Sequence, residues 1–291
     1  MLPNFLIIGA AKCGTTSLYR QLHLHPDIFL PQRIKEPTFF SEYGLGTWNK
    51  GLRWYESLFA NWRGEHAVGE ASTSYSKAPW YGDAPEKIHS LIPKAKLIYM
   101  VRDPVAQVYS HYRHMTYFNK LECSLEAALK RDDFLISVAS YAMQINNFLN
   151  FFGKDQILLV PFEEYCRQPI RTAQGVCEFL EVNSSIELVL DQPENQAKGR
   201  KKMRPFHAPL VYEVLRKRAP DLFMQIFNSA FTAPLPEPEL SDHASRQLAK
   251  SLAPEVLTLK QLFKPQLEEW CPPIGGHATW DFNELIDSPR N

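Results

Sequence analysis

The feature that most constrains the fold is a short apolar segment near the start of the chain, which leads into a loop of small residues. Residues 5–9, FLIIG, are continuously apolar and end at a glycine, which is typical of a strand buried in a parallel sheet. The next eight residues, through Ser17, read AAKCGTTS, and leucines one helical turn apart follow them. The sequence therefore predicts a strand, a tight loop and a helix, with Thr15 or Thr16 capping the helix.

Three later segments, at residues 67–71, 96–101 and 156–160, predict further strands of the same sheet. Pro104 follows the second of them and fits the first turn of a helix, and residues 163–180 have a helical pattern. Strands that alternate with helices in this way form parallel βαβ units. We therefore predict an α/β, P-loop-like three-layer fold, with a central parallel β-sheet flanked by helices.

The C-terminal part of the chain is predicted to be helical from about residue 205 onward. Its pattern predicts a pair of helices between residues 241 and 263, interrupted near Pro254. A chain of 291 residues is long enough for one large domain, and no internal repeat divides it. We expect residues 1–291 to form a single domain.

The balance of charges and the cysteine content indicate which binding partners and which cellular compartment to expect. Lysine plus arginine and aspartate plus glutamate both number 32, so the composition predicts no nucleic-acid partner, and any anion site must be built locally. No run approaches the ~20 apolar residues of a membrane span. The five cysteines are odd in number and form no CxxC pair, which predicts free thiols in a reducing, cytoplasmic environment. The sequence does not indicate an oligomeric state.

The loop after the first strand has the chemistry of an anion site. Its small residues let backbone N–H groups approach an anion at the start of a helix, and Lys12 and the hydroxyls of residues 15–17 add donors. A nucleoside-triphosphate P-loop has lysine directly after its second glycine, whereas here Thr15 follows Gly14 and the lysine lies two positions before that glycine. The loop alone is equally compatible with a tight turn that carries a lysine.

A second motif, RDPVAQVYS, runs from Arg102 to Ser110. Arg102 ends a predicted strand, and Ser110 lies about two turns into the helix that begins at Pro104, so both side chains can converge on one phosphate. Taken singly, Arg102 can instead belong to a surface ion pair.

Together with HPD at residues 25–27 and KEPTFF at residues 35–40, these motifs resemble the sulfotransferases that use 3′-phosphoadenosine 5′-phosphosulfate (PAPS). The likeness is to the heparan sulfate sulfotransferase-like and bacterial branch. It implies PAPS as donor, 3′-phosphoadenosine 5′-phosphate (PAP) as product, and no metal. The resemblance assigns the 5′-phosphosulfate to Lys12, Cys13, Gly14, Thr15, Thr16 and Ser17. It assigns the 3′-phosphate to Arg102 and Ser110, with a closing basic loop at Lys198, Gly199 and Arg200 that is equally typical of a solvated loop.

The resemblance also implies the chemical roles. Glu36 is expected to be the general base, with a pKa raised by the neighbouring aromatic pair, and Lys12 to stabilise the leaving phosphate oxygen. Glu70 is the reserve base and His111 a weaker one. The residues expected to contact the acceptor are Phe40, Glu70, Tyr75 and His111. Trp80 and Tyr112 can also line its pocket, although core packing explains such aromatics equally well.

The acceptor itself is left open as a hydroxyl or amine of a carbohydrate, lipid or small metabolite. Ala71 stands where some heparan-type members have a substrate-contacting lysine, which argues against a glycosaminoglycan. Two other classes remain as alternatives. A P-loop-type kinase or nucleoside triphosphatase requires a lysine after Gly14, and a noncatalytic PAPS- or PAP-binding protein requires no base at Glu36.

Overall fold

The structure is a computed structural model that describes residues 1–42, 46–118, 120–189, 201–203, 232–234 and 239–272. Its strands are β1 (Phe5–Gly9), β2 (Ile28–Phe29), β3 (Ala67–Ala71), β4 (Lys96–Val101), β5 (Ile157–Pro161), β6 (Lys201–Met203) and β7 (Thr232–Pro234). Helices α1 to α6 are Thr15–Leu22, Leu52–Ser57, Ala84–Leu91, Pro104–Tyr117, Leu125–Arg131 and Phe134–Ala139. Helices α7 to α11 are Tyr141–Leu149, Phe162–Arg167, Pro169–Phe179, Asp242–Leu262 and Lys264–Leu267.

Five strands form one all-parallel sheet in the order β2-β3-β1-β4-β5. Every residue of β1 and β3 is buried, as is all of β4 after its first residue, which is why these segments, apart from Glu70 in β3, are apolar or small rather than alternating. Helices connect and flank the strands, so the predicted α/β class and parallel sheet are confirmed. A separate antiparallel pair is formed by β6 and β7.

Two boundaries differ from the sequence prediction. The fifth strand begins at Ile157 instead of residue 156, because Gln156 belongs to a short 3₁₀ turn that precedes it. The predicted helix pair at residues 241–263 is wrong, since Asp242–Leu262 is one helix with Pro254 inside it. Its buried residues recur along one face (Leu248, Ala249, Leu252, Ala253, Val256 and Leu259). This packing outweighs the hydrogen bond that proline cannot donate.

The helices predicted from residue 205 onward lie outside the described residues up to position 231. Among the residues that the structure describes, no helix has both the length and the apolar character needed to cross a membrane.

Candidate active site

The carboxyl edge of the sheet brings together the two predicted phosphate motifs. From β1 the chain passes to β2 and β3 on one side, and then crosses to β4 on the other. The order of strands therefore reverses between β1 and β4. Parallel α/β sheets bind ligands outside the carboxyl ends of their strands at such a switch point. The loop that carries Lys12 follows β1, and Arg102 follows β4.

The loop after β1 turns into α1 through a left-handed residue. Gly14 has φ 89°, and a Cβ at this position would come within 2.7 Å of the Phe162 ring. Any other residue there would be strained and would collide with an aromatic side chain. The predicted capping by Thr15 or Thr16 is wrong: the N-cap is Gly14, and in the described part of the chain no side chain caps the start of α1. Its first N–H groups are thus oriented as an anion site requires.

Residues of β4 and α4 fix the shape of this loop. The Ala10 N–H donates to the Met100 carbonyl at 2.8 Å, and the buried Gln107 side chain donates to the Ala11 carbonyl at 3.0 Å. Arg102 Nη1 donates to the Lys12 carbonyl at 3.4 Å. Gln107 was missed by the sequence reasoning, because one polar residue in a helix gives no signal of what it holds. The two predicted motifs are therefore joined directly, through Arg102 and Lys12.

The side chain of Cys13, which was predicted to bind the donor, lies inside the protein. Its thiol is fully buried, lies 3.5 Å from the Tyr141 hydroxyl, and its N–H donates to the Ala10 carbonyl at 3.3 Å. Burial raises the pKa of the thiol to about 12. Cys13 therefore serves the internal structure of the loop. Thr15 is buried too, whereas Lys12, Thr16 and Ser17 are half-buried.

Arg102 is held in place by an aromatic ring. Its guanidinium lies 4.8 Å from the centre of the Phe162 ring, the same ring that packs against Gly14. Ser110 is half-buried on α4, about 9 Å along the helix axis from Pro104. The structure thus places Arg102 beside the Lys12 loop and leaves the Ser110 side chain partly open.

Hydrogen bonds of Asp103 fix the turn from β4 into α4. Asp103 accepts hydrogen bonds from the N–H groups of Val105 and Ala106, so it is the N-cap of α4. The Asp103 N–H donates to Glu163 at 2.8 Å, and the other oxygen of Glu163 accepts from the Trp270 indole at 3.0 Å. Glu163 therefore ties the ends of β4 and β5 to the residues after α11.

Glu36 lies at the surface of the site, with 40% of its side chain exposed. Lys35 donates to one carboxylate oxygen at 2.9 Å and Thr73 to the other at 3.1 Å. Desolvation raises the pKa of Glu36, but the Lys35 charge and hydrogen bond, the Lys77 charge and the Thr73 hydrogen bond outweigh it and hold the pKa below its usual value. The expected upward shift caused by aromatic neighbours is therefore wrong.

The aromatic pair expected beside Glu36 packs away from it. Phe39 stacks on Tyr55 with ring centres 4.1 Å apart, and Phe40 meets Tyr75 edge to face at 5.6 Å. Both phenylalanines are buried in the core. They anchor the segment that carries Glu36 but do not surround its carboxylate.

Glu70 is the carboxyl with the raised pKa. It is 0% exposed and accepts hydrogen bonds from Tyr75 at 2.6 Å, Ser72 at 2.9 Å and Tyr55 at 3.2 Å. Burial raises its pKa to about 7, although these three hydroxyl groups and their hydrogen bonds lower it. The nearby charge of Glu36 adds to the increase.

Two further basic residues, Lys77 and His114, lie in the same region and were missed by the sequence reasoning. Burial lowers the pKa of Lys77, while the charge of Glu36 raises it. The pKa of His114 is about 4, because of burial and then the charges of Lys12 and Lys77. His114 lies one turn after Ser110 on α4, but Lys77 follows a 3₁₀ turn, and sequence spacing alone does not relate it to Glu36.

The four residues expected to contact the acceptor are all buried: Phe40, Glu70, Tyr75 and His111. This burial contradicts the expectation that they line the acceptor pocket. Burial also lowers the pKa of His111 well below its usual value, with the Lys77 charge adding to the effect, so it is neutral. Tyr112 is buried too and donates to the Cys123 carbonyl at 3.0 Å. Trp80, in contrast, is exposed.

The predicted basic loop at Lys198, Gly199 and Arg200 lies outside the described residues. Among the residues that are described, no group of three histidine, cysteine, aspartate or glutamate side chains is placed to hold a metal ion.

Comparisons with known proteins match most of the chain to one family. Residues 2–207 match the family model described as the sulfotransferase domain. The bifunctional heparan sulfate N-deacetylase/N-sulfotransferase 4 of Mus musculus is 30% identical over 202 residues, 62% of this chain and 22% of that protein. Carbohydrate sulfotransferase 15 of Homo sapiens is 28% identical over 245 residues, 62% of this chain and 44% of that protein. The chain therefore spans less than half the length of these curated relatives.

A solved structure extends the likeness further along the chain. The crystal structure of a sulfotransferase from Alicyclobacillus acidocaldarius superposes with a TM-score of 0.68 at 27% identity. The match covers 93% of this chain and 99% of that one. The parallel sheet and its flanking helices are thus shared with a bacterial protein of similar extent.

Proposed function

The chain belongs to the sulfotransferase domain family, and from this premise we propose that it transfers a sulfuryl group from PAPS to a hydroxyl or amine of an acceptor. The observation that carries the proposal is the contact of Arg102 with the Lys12 carbonyl. It brings the two phosphate motifs to one edge of the sheet, as the two ends of a bisphosphorylated adenosine require. The left-handed Gly14 and the uncapped start of α1 fit the 5′ end of such a nucleotide.

In the proposed reaction, PAPS supplies the sulfuryl group and leaves as PAP. Glu36 takes the proton from the attacking acceptor oxygen or nitrogen as the new bond to sulfur forms. Lys12 stabilises the charge that develops on the phosphate oxygen as its bond to sulfur breaks. Attack in line with this oxygen makes positioning a large part of the acceleration. The low pKa of Glu36 keeps it ionised near neutral pH and so able to accept a proton.

The positive charges around the candidate active site support transfer of an anionic group. Lys12, Lys77 and the half-buried Arg102 face the same edge of the sheet. A sulfuryl group carries less negative charge than a phosphoryl group. Side-chain cations can therefore stabilise its transfer without the Mg²⁺ that kinases require. We therefore expect turnover to persist in the presence of EDTA.

We also propose that the enzyme works in a reducing compartment such as the cytoplasm. All five cysteines are free. Two of them, Cys13 and Cys177, are buried in the core, where burial raises their pKa values to about 12 and about 11. Such buried thiols react slowly, as expected of cysteines that stay reduced.

The decisive test compares PAP with AMP, which lacks the 3′-phosphate. We expect the wild-type protein to bind PAP far more tightly than AMP in isothermal titration calorimetry. Arg102→Ala should weaken PAP binding by about 1.5–3 kcal/mol, because it removes a charge-assisted contact. AMP affinity should change little, so the preference for PAP over AMP should shrink.

Arg167→Ala is the matched control, since Arg167 is an exposed arginine on α8 near the same edge. It should leave both affinities unchanged. Equal binding of PAP and AMP by the wild-type protein would overturn the proposed function.

A further inference from the structure

A cavity of about 370 Å³ lies beside the proposed site. Its apolar lining includes Trp80, Tyr81, Met115, Leu121, Phe134 and Leu135. The volume falls at the lower end of the roughly 300–1,000 Å³ that small-molecule sites occupy. Trp80 is 46% exposed, although large aromatic side chains are normally buried on folding.

Two contacts link the lining of this cavity to residues that adjoin the proposed site, namely His111, which follows Ser110, and Lys77. The Phe134 ring lies 5.5 Å from the His111 ring and 5.8 Å from the Trp80 ring. Met115 is one helical turn after His111, on the same face of α4. The Tyr81 N–H donates to the Lys77 carbonyl at 2.9 Å, and the charge of Lys77, like that of Lys35, acts on Glu36. One end of the cavity therefore adjoins the backbone of Lys77.

The charges at the cavity cancel locally. Arg131 and Asp132 are its charged lining residues, and Arg131 Nε donates to Asp132 Oδ2 at 2.8 Å. A polyanionic chain needs several unpaired cations along its path. In the described residues the cavity offers instead an apolar wall that includes the exposed ring of Trp80 and the partly buried ring of Phe134, which favours an uncharged ring system or alkyl chain.

We propose that this cavity holds the body of the acceptor, and that the acceptor is a compact apolar alcohol or phenol instead of a glycosaminoglycan. The hydroxyl group lies towards Lys77 and Glu36, and the apolar body packs against Trp80 and Phe134. This inference rests on the proposed function, because an acceptor site has meaning only beside a donor site.

The test uses 2-naphthol as the probe and a heparosan oligosaccharide as the anionic competitor. With ³⁵S-labelled PAPS, we expect the wild-type protein to label 2-naphthol in preference to the oligosaccharide. Trp80→Ala should raise the KM for 2-naphthol at least tenfold, because a central aromatic contact is lost, while PAP affinity stays unchanged. Trp80→Phe should recover most of the loss.

Trp62→Ala is the matched control, since Trp62 is 40% exposed and lies in the loop after α2. It should leave KM unchanged. If PAP binds but the oligosaccharide is labelled in place of 2-naphthol, or if both tryptophan variants behave alike, the acceptor inference falls and the proposed function stands. If PAP does not bind, the proposed function falls, and the acceptor inference falls with it.

A second, independent observation concerns the buried carboxyl Glu70. Ser72 donates to Glu70 and accepts from the Thr38 N–H at 2.9 Å. Tyr75 donates to Glu70 and accepts from the Phe40 N–H at 3.4 Å. Glu70 therefore orients two hydroxyl groups, each of which holds a backbone N–H of the segment that follows Glu36. Thr38 has a positive φ of 52°, so this segment is in a conformation that needs such support.

We infer that Glu70 is a positioning residue for the proposed reaction, acting through Glu36. Glu70 does not touch the acceptor, because it is fully buried. Its part is to hold the backbone of residues 38–40 so that the Glu36 carboxylate stays in reach of the attacking group. This inference also depends on the proposed function.

The test is a double-mutant cycle with Glu36. We expect Glu70→Gln to lower kcat at least tenfold with PAP affinity unchanged, and to cause no further loss in a Glu36→Gln background, because both changes remove the same function. Ser72→Ala and Tyr75→Phe each remove one branch and should give smaller losses, which keeps the test informative if Glu70→Gln does not fold. Losses that add fully in the double variant would overturn the inference, and unchanged PAP binding would separate that outcome from failure of the proposed function.

Discussion

Replacing Lys12 by alanine is expected to lower kcat/KM for sulfuryl transfer by about three orders of magnitude or more. Two effects combine. Loss of a charge-assisted contact with the donor costs about 1.5–3 kcal/mol. Loss of a group that stabilises the leaving oxygen costs a further factor of about 10²–10³ in kcat. The measurement is transfer of ³⁵S from PAPS, with PAP affinity determined separately by calorimetry.

The structure explains why the side chain of Lys12, and not its backbone, should account for this loss. Arg102 donates to the carbonyl of residue 12, and this bond remains in the alanine variant. The backbone of Lys12 has φ 68°, a conformation that alanine and lysine tolerate equally poorly, so the change adds little strain. The loop should therefore keep its shape while losing its charge.

Two variants test this reading of Lys12. Lys12→Arg should retain part of the activity, since it keeps the charge but changes its geometry. Lys94→Ala removes an exposed lysine just before β4, at the opposite edge of the sheet, and should have no effect. Activity of Lys12→Ala within tenfold of the wild-type level would remove Lys12 from the chemistry.

The sequence was sufficient for four of the five strands of the sheet, because these are largely buried, but it did not predict the two-residue edge strand β2. Residues 5–9 and 96–101 are apolar at nearly every position, a pattern that a strand at a solvated face does not have. The long helix at Asp242–Leu262 could not be predicted as one continuous helix from the sequence. A proline inside a helix predicts a break, and only the packing of the buried face, which sequence periodicity cannot weigh against that cost, keeps the helix continuous.

The site was predictable where backbone and side chain share one short motif. Gly14 and Arg102 could be placed from their positions at the ends of β1 and β4, and the structure brings their loops together. The environment of Glu36 was not predictable in this way. Its aromatic neighbours in sequence turn into the core, and its pKa is lowered first by the adjacent Lys35 and then by Lys77 and Thr73, which come from a segment more than 30 residues away.

Contacts between distant segments also explain why Glu70, and not Glu36, has the raised pKa. Glu70 has the raised pKa that was expected of Glu36, because it is fully buried, although hydroxyl groups from α2 and from the segment after β3 lower the pKa. Burial of a polar side chain depends on what the fold places around it, and a single sequence does not give that information.

Changing Glu36 to glutamine is expected to lower kcat by about 10²–10⁴-fold, the range by which a positioned base accelerates proton transfer. Glutamine keeps the size of the side chain, and its amide oxygen can still accept from Lys35 or Thr73, but it cannot take a proton from the acceptor. PAP affinity should stay within a few-fold of the wild-type value. Single-turnover transfer from ³⁵S-labelled PAPS separates this chemical step from product release.

The control for this change is Glu42→Gln, which alters an exposed glutamate close to the same segment that pairs with Lys87 at 2.6 Å. It should leave kcat unchanged, so a loss confined to Glu36→Gln points to proton transfer and not to the charge of the surface.

The low pKa of Glu36 limits how this residue can act as a base. A carboxylate ionised well below neutral pH is a weak base, so it can serve only if the acceptor proton begins to leave as the bond to sulfur forms. Unchanged kcat in Glu36→Gln would mean that the acceptor loses its proton to water or to another group, and the assigned base would have to be abandoned while the donor site stands.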